Sequence, residues 1–202
     1  MITKYENVAI YKIRHTRKDV GVAIVVILAL LGGFFLRQSV TNQTATFADK
    51  ATGLQMTYPA EYAEASTMLP DAVIKIADQY GATAFKSSLT VEALDIDKSN
   101  PPTMQQLMDR RVEQRSKLTA YHFIGNNETS VSGNKAMELR YAYVEQPIDE
   151  PRRVSLPVVV VGKEYIVLSK DRVYYITTAV PEAEADTAGA KLQKVVETIK
   201  VP

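Results

Sequence analysis

The chain contains no cysteine, which excludes disulfides, thiolate metal sites, a cysteine nucleophile and a lipid-modified N-terminal cysteine. Histidine is nearly as scarce, with only His15 and His122 among 202 residues. A hydrolytic triad or a metal-activated water needs a base with converging partners. No H-E-x-x-H or G-x-S-x-G pattern supplies them. The stretch DIDKSN opens like a calcium loop through Asp95, Asp97 and Ser99. It fails at the sixth and twelfth places, where Asn100 and Gln106 replace the required glycine and bidentate glutamate. The sequence therefore offers no catalytic residue, no metal set and no cofactor motif, and the expectation is a protein that is not an enzyme.

A surplus of one charge is also missing. The net charge is +1, yet residues 1–37 hold six basic groups against two acidic ones, leaving 18 basic and 21 acidic groups for residues 38–202. A slightly acidic domain of mixed signs is not built to neutralise phosphates, so nucleic acid is not an expected partner. Arg110, Arg111, Arg115 and Lys117 interleave with Asp109 and Glu113, which reads as a solvated helix face with Glu113 and Lys117 as an i,i+4 pair. Arg152 and Arg153, beside Pro147 and Pro151, are the better candidates for contact with a protein partner.

What the sequence does have is one long apolar run. Val20 to Leu36 is 17 residues without charge or proline. As a helix it covers about 25 Å, at the lower end of the range for a membrane span. A cleaved signal peptide has a shorter apolar core, about 7–15 residues, ending in a small-x-small site. Phe34-Phe35-Leu36-Arg37 is a poor approach to such a site, so the expectation is an uncleaved anchor over residues 20–40, with Val20, Leu28 and Leu36 in the bilayer. Ala29 and Gly33 form a small-xxx-small pair against which another helix could pack. Lys12, Arg14, Arg17 and Lys18 precede the run and only Arg37 follows closely. The positive-inside rule then keeps residues 1–19 in the cytoplasm and sends the C-terminal part to a periplasmic, lumenal or extracellular side.

Beyond the run, residues 41–52 are polar and read as a linker. LQMTYP alternates, with Leu54, Met56 and Tyr58 on one side, and DAVIKIAD and SSLTVEALDI give two further strands. Thr103 and Gln106 form a capping-box pattern, and Met104, Leu107, Met108 and Val112 recur at helical spacing, which predicts a helix from about Thr103 to Ala120. Turn signals fall at Gly125-Asn126-Asn127, Ser132-Gly133-Asn134, Gly162-Lys163 and Lys170-Asp171. The last segment puts Ala188, Leu192, Val195, Val196 and Ile199 on one helical face. Strands, a helix, a meander and a closing helix make a single α+β domain, an antiparallel sheet packed with helices, over residues 53–202.

Three stretches carry a resemblance. TSVSGNKAMELRYAYVE is similar to the strand-turn-strand of PsbP-like domains. DRVYYITTAVPEAEADTAGAKLQKVVETIKV looks like the family's closing strand, proline and acidic helix. TGLQMTYPAEY resembles its first hairpin, with Leu54 and Met56 in place of aromatic residues and Tyr62 in place of a tryptophan. The resemblance spans roughly Phe47 to Val201 and rests on structural glycines, prolines and core residues. It implies the fold, and it implies a binding or accessory role, because the family shares no catalytic residues. Two readings follow. One is a non-catalytic accessory subunit of a larger membrane complex, of the respiratory or photosynthetic electron-transfer kind. The other is a free-standing anchored envelope module that takes a lipid or small ligand, with Met104, Met108 and Met137 as candidate lining.

Overall fold

A computed structural model describes residues 17–41, 43–67, 69–146 and 156–202. The chain divides into two compact units, residues 1–42 and 43–202. The first contains helix α1, Arg17–Thr41. Taken by itself α1 buries nothing: its described side chains, Val20 to Leu36, are exposed all round. Among the described residues no helix is long and apolar enough to cross a membrane. Those 17 side chains account for about 25 Å of helix, less than the ~30 Å of a hydrocarbon core.

The second unit starts earlier than its sequence suggests. β1 (Thr44–Ala48) lies inside the stretch read as a linker and pairs antiparallel with β2 (Gln55–Pro59). Its single large apolar residue, Phe47, is too little alternation to mark a strand in isolation. Then follow β3 (Tyr62–Glu64), β4 (Ala72–Asp78), β5 (Ser88–Asp95) and α2 (Met104–Arg115). β6 (His122–Val131), β7 (Asn134–Glu145), β8 (Val158–Leu168), β9 (Arg172–Pro181), a short 3-10 turn and α3 (Ala188–Thr198) complete the chain. β3 to β9 form one antiparallel sheet in the order β3-β4-β5-β9-β8-β7-β6.

The sheet is sandwiched, and strand alternation decides what each face receives. Leu89, Val91, Tyr165, Val167, Tyr174 and Ile176 meet Leu192, Val195 and Val196 of α3, together with Leu54, Met56 and Tyr58 of the β1–β2 hairpin. On the opposite face Leu107 and Met108 of α2 cover Leu139, Ile166, Val173 and Tyr175. Farther along that face Tyr141, Tyr143 and Val160 form a third cluster.

Two expected turns are strand instead. Gly162 sits within β8 opposite Tyr141, and a Cβ there would come 2.5 Å from the Tyr141 ring, so glycine is required by the ring laid across it. Gly125-Asn126-Asn127 lies within β6, where the pairing slips between Phe123 and Gly125 in a bulge. Ser132-Gly133 does turn the chain, both residues at positive φ. α2 stops at Arg115, short of the expected Ala120, so Lys117 lies beyond it and the expected pairing with Glu113 on a helix face does not arise.

Candidate functional site

The least expected feature is a set of four charges held between α2 and the sheet. Alternation puts Glu92 of β5 and Glu164 of β8 on the α2 face, where the neighbouring positions hold Leu94 and Ile166. Helical spacing puts Arg111 one turn after Leu107, and Arg115 two turns after Met108, so both point at the sheet. Glu164 is fully buried and Arg111 is only 7% exposed. Arg111 Nη2 donates to Glu92 Oε1 at 2.7 Å, and its Nη1 to Gln114 at 2.8 Å. Its Nε lies 2.8 Å from Glu164 Oε1 but off the donor direction, so that contact is ionic without being a formed hydrogen bond. Arg115 grips both oxygens of Glu164, at 3.0 and 3.2 Å, and also donates to Thr177. The Arg111 guanidinium stacks 3.6 Å above the Tyr175 ring. Expected as part of a solvated face, Arg111 is buried and Arg115 is partly so, at the margin of the core.

The electrostatics follow from this closure. Burial works against the Arg115 charge, but the Glu164 carboxylate outweighs it and holds the guanidinium above its ordinary value. Burial, reinforced by Glu164, pushes the Tyr141 hydroxyl well up, and burial with Glu145 pushes Tyr143 up to about 12. Two positive and two negative groups are matched, three of them buried and Arg115 partly exposed. The quartet holds α2 to the sheet and presents no group to a substrate.

The open clefts are elsewhere. One of about 640 Å³ lies where the β1–β2 turn, the end of β5 and the β8–β9 turn meet, with Lys50, Lys98, Lys170 and Arg172 in its wall. Two of those cations are engaged, Arg172 with Asp95 and Lys98 with Asp171, each at 2.6 Å. A smaller cleft, about 300 Å³, lies between β8 and the start of α3, beside Val161, Lys163, Val180 and Gln193. Met108 is buried in the core beneath α2 with Met104 and Met137 packed against it, so these methionines line neither cleft.

Other residues singled out from sequence fall as follows. His122 is exposed at the start of β6, the edge strand. Asp97 spends its carboxylate on Ser99 and Asp95 on Arg172, which closes the imitation calcium loop on itself. Val20, Leu28 and Leu36 are exposed on α1, and nothing lies within 4 Å of where a Gly33 side chain would project, on the same helix as Ala29. Arg152 and Arg153 lie outside the described residues. The buried quartet left a faint trace in sequence: Glu164 and Glu92 occupy core parity in their strands, and the two arginines share the spacing of the α2 core.

No protein-family model matches the chain, and no curated protein matches its sequence. Solved structures do. Cyanobacterial PsbP (CyanoP) from Synechocystis sp. PCC 6803 superimposes with a TM-score of 0.58 at 12% identity, covering 79% of this chain and 92% of its own. LpqN of Mycobacterium tuberculosis, described as involved in cell envelope biogenesis, gives a TM-score of 0.56 at 12% identity over 79% of this chain and 91% of its own. The domain has the PsbP-like fold, an α+β sandwich built on an antiparallel sheet. Likeness at this identity carries the fold and nothing finer.

Proposed function

We propose that this protein is a non-catalytic accessory subunit, held in a membrane by α1 and presenting its PsbP-like domain to partner subunits on the extracytoplasmic side. The observation that carries the reading is α1: continuous helix for 25 residues from Arg17 to Thr41, about 37 Å long, with an apolar centre whose described side chains are exposed all round. The described 17 side chains fall short of a span, but the helical backbone continues through Arg17–Asp19 and Arg37–Thr41, enough to carry both charged ends to the interfaces. The basic groups before the helix favour a cytoplasmic N-terminus. Tethering raises the domain's effective concentration near membrane partners, so a modest interface suffices. Ala29 and Gly33 are the proposed contact for a neighbouring helix, and Arg152 and Arg153 the proposed contact for a soluble face. Respiratory or photosynthetic electron-transfer complexes are the host class that the fold analogy suggests.

The deciding experiment is extraction of native membranes with a mild detergent, followed by identification and quantification of what co-purifies. Recovery at fixed ratio with a multi-subunit complex, lost when Val20–Leu36 is replaced by an unrelated anchor, is the expected result. Recovery of the chain alone overturns the subunit reading.

One observation favours a second reading, an anchored envelope module that binds a small ligand. The cleft is open and sets Lys50, Lys98, Lys170 and Arg172 against Asp95 and Asp171, so it suits a small anionic ligand better than an acyl chain, which needs an apolar enclosure.

A further inference from the structure

The exposed apolar side chains of the domain are not scattered. Among the described residues, six large hydrophobic side chains of the second unit are exposed: Leu69, Tyr80, Phe123, Ile124, Leu156 and Val159. The strand register shows which end of the sheet each belongs to. Tyr62 pairs with Asp78, Ala77 with Ser88, Ser88 with Ala179, and Gly162 with both Ala179 and Tyr141, and His122 pairs with Ala142. Tyr80 follows Asp78, Phe123 and Ile124 follow His122, and Leu156 and Val159 flank the start of β8. Five of the six therefore share one end, and only Leu69, between β3 and β4, lies at the other. Tyr80 is 81% exposed and Leu156 84%.

The same end receives the chain from α1. β1 pairs its first residue, Thr44, with Pro59, two residues before Glu61, and the Ala60 N–H donates to the Gln43 carbonyl at 2.9 Å. The last helical residue of α1 is Thr41. In sequence, Asn42 alone separates the last helical residue from Gln43, the first residue hydrogen-bonded into the domain.

We propose that this end of the sheet is a lipid-contact surface, with Tyr80, Phe123, Ile124 and Leu156 seated in the headgroup and upper acyl region of the bilayer that holds α1. The proposal rests on the anchor reading of α1. Tyr80 and Leu156 stand outside the strands, while Phe123 and Ile124 are neighbours on the edge strand β6, and such separated apolar points suit an interface that yields to each of them. A folded protein partner would instead meet a continuous patch. Among the described residues of this end acidic groups outnumber basic ones, which argues against an electrostatic contact. Glu61, Glu145, Glu182 and Asp186 outnumber Lys86 and Lys191, and Lys191 is already paired with Glu61 at 2.7 Å. Contact therefore comes from apolar insertion under a short tether, is served by zwitterionic lipid, and is insensitive to salt.

The natural absence of cysteine makes the test direct, since any introduced thiol is the sole labelling site. Full-length Tyr80→Cys, Leu156→Cys and Leu69→Cys are each labelled with a polarity-sensitive fluorophore and reconstituted in phosphatidylcholine vesicles. All three positions are exposed, so labelling leaves the core intact. Flotation of the vesicles reports the anchor separately. The expected result is co-flotation, with blue-shifted, severalfold brighter emission at positions 80 and 156, an aqueous spectrum at 69, and no change at high salt. Co-flotation with all three labels in water overturns the lipid contact while leaving the anchor standing. Labels shielded in native membranes but wet in pure lipid overturn it in favour of a protein partner. Failure to float overturns both readings.

Discussion

At the scale of single residues, the sharpest consequence comes from Glu164. It is fully buried and meets two guanidiniums. Removing one partner of a buried charge set leaves the others without compensation, at a cost of about 3–5 kcal/mol. Glu164→Ala in the full chain should show that loss in a denaturant titration. Replacing Arg111, Arg115, Glu92 and Glu164 together with apolar residues should cost much less than the single change. Gly162 gives a second prediction. Gly162→Ala should destabilise by about 1–3 kcal/mol through overpacking against Tyr141. Pairing it with Tyr141→Leu should recover part of that loss in a double-mutant cycle. The buried tyrosines set an alkaline limit. Burial pushes Tyr143 and Tyr165 up to about 12, whereas an unfolded tyrosine ionises near 10. Below about pH 10 both states are neutral and stability is unaffected. Between about 10 and 12 only the unfolded chain ionises, so stability falls with rising pH. Tyrosinate absorbance followed alongside unfolding checks the window.

At the scale of elements, α2 owes its start to the capping box. Thr103 Oγ1 accepts from the Gln106 N–H at 3.2 Å, and Gln106 Oε1 accepts from the Thr103 N–H at 2.9 Å. Thr103→Ala should cost about 1 kcal/mol, measurable as a shift of the denaturation midpoint. This device was legible in sequence because it is local: four residues state it completely. The β2, β4 and β5 strands and the apolar face of α3 were legible for a similar reason, since each repeats a period that one element suffices to show. What escaped was non-local. β1 is a strand because β2 is beside it. Gly162 looked like a turn because the reason for a glycine, the Tyr141 ring, lies on a neighbouring strand. The bulge at Phe123–Gly125 placed turn-prone residues inside β6. Arg111 and Arg115 looked solvated because their counter-charges come from strands 19 and 49 residues away. No window along the chain brings those groups together.

At the scale of the whole molecule, the predictions concern where the chain resides. If α1 is retained as an anchor, mass spectrometry of the membrane-extracted protein should recover peptides spanning Val20–Leu36. A mature N-terminus beyond Arg37 contradicts retention. If the basic flank sets orientation, protease added to the extracytoplasmic side of sealed cells or vesicles should reach the domain, and protease on the cytoplasmic side should not. Exchanging the basic residues before the helix for acidic ones, with lysines placed after it, should reverse that pattern. The fold was legible through structural motifs near both ends of the domain. The site was less so, because a surface that meets lipid or a partner subunit imposes no fixed spacing on the sequence.

The buried quartet bears on recognition as well as stability. A helix seated on a sheet by apolar contacts alone can creep or roll, since one methyl group substitutes for another at little cost. α2 has less of that freedom: a slide of half a turn, about 2.7 Å, would pull both guanidiniums off the buried carboxylates of Glu92 and Glu164. The backbone that carries its outward side chains, Arg110 and Glu113 among them, is therefore held in one attitude. A partner that docks on them meets a helix already placed, and the ordering cost that remains is that of the side chains alone.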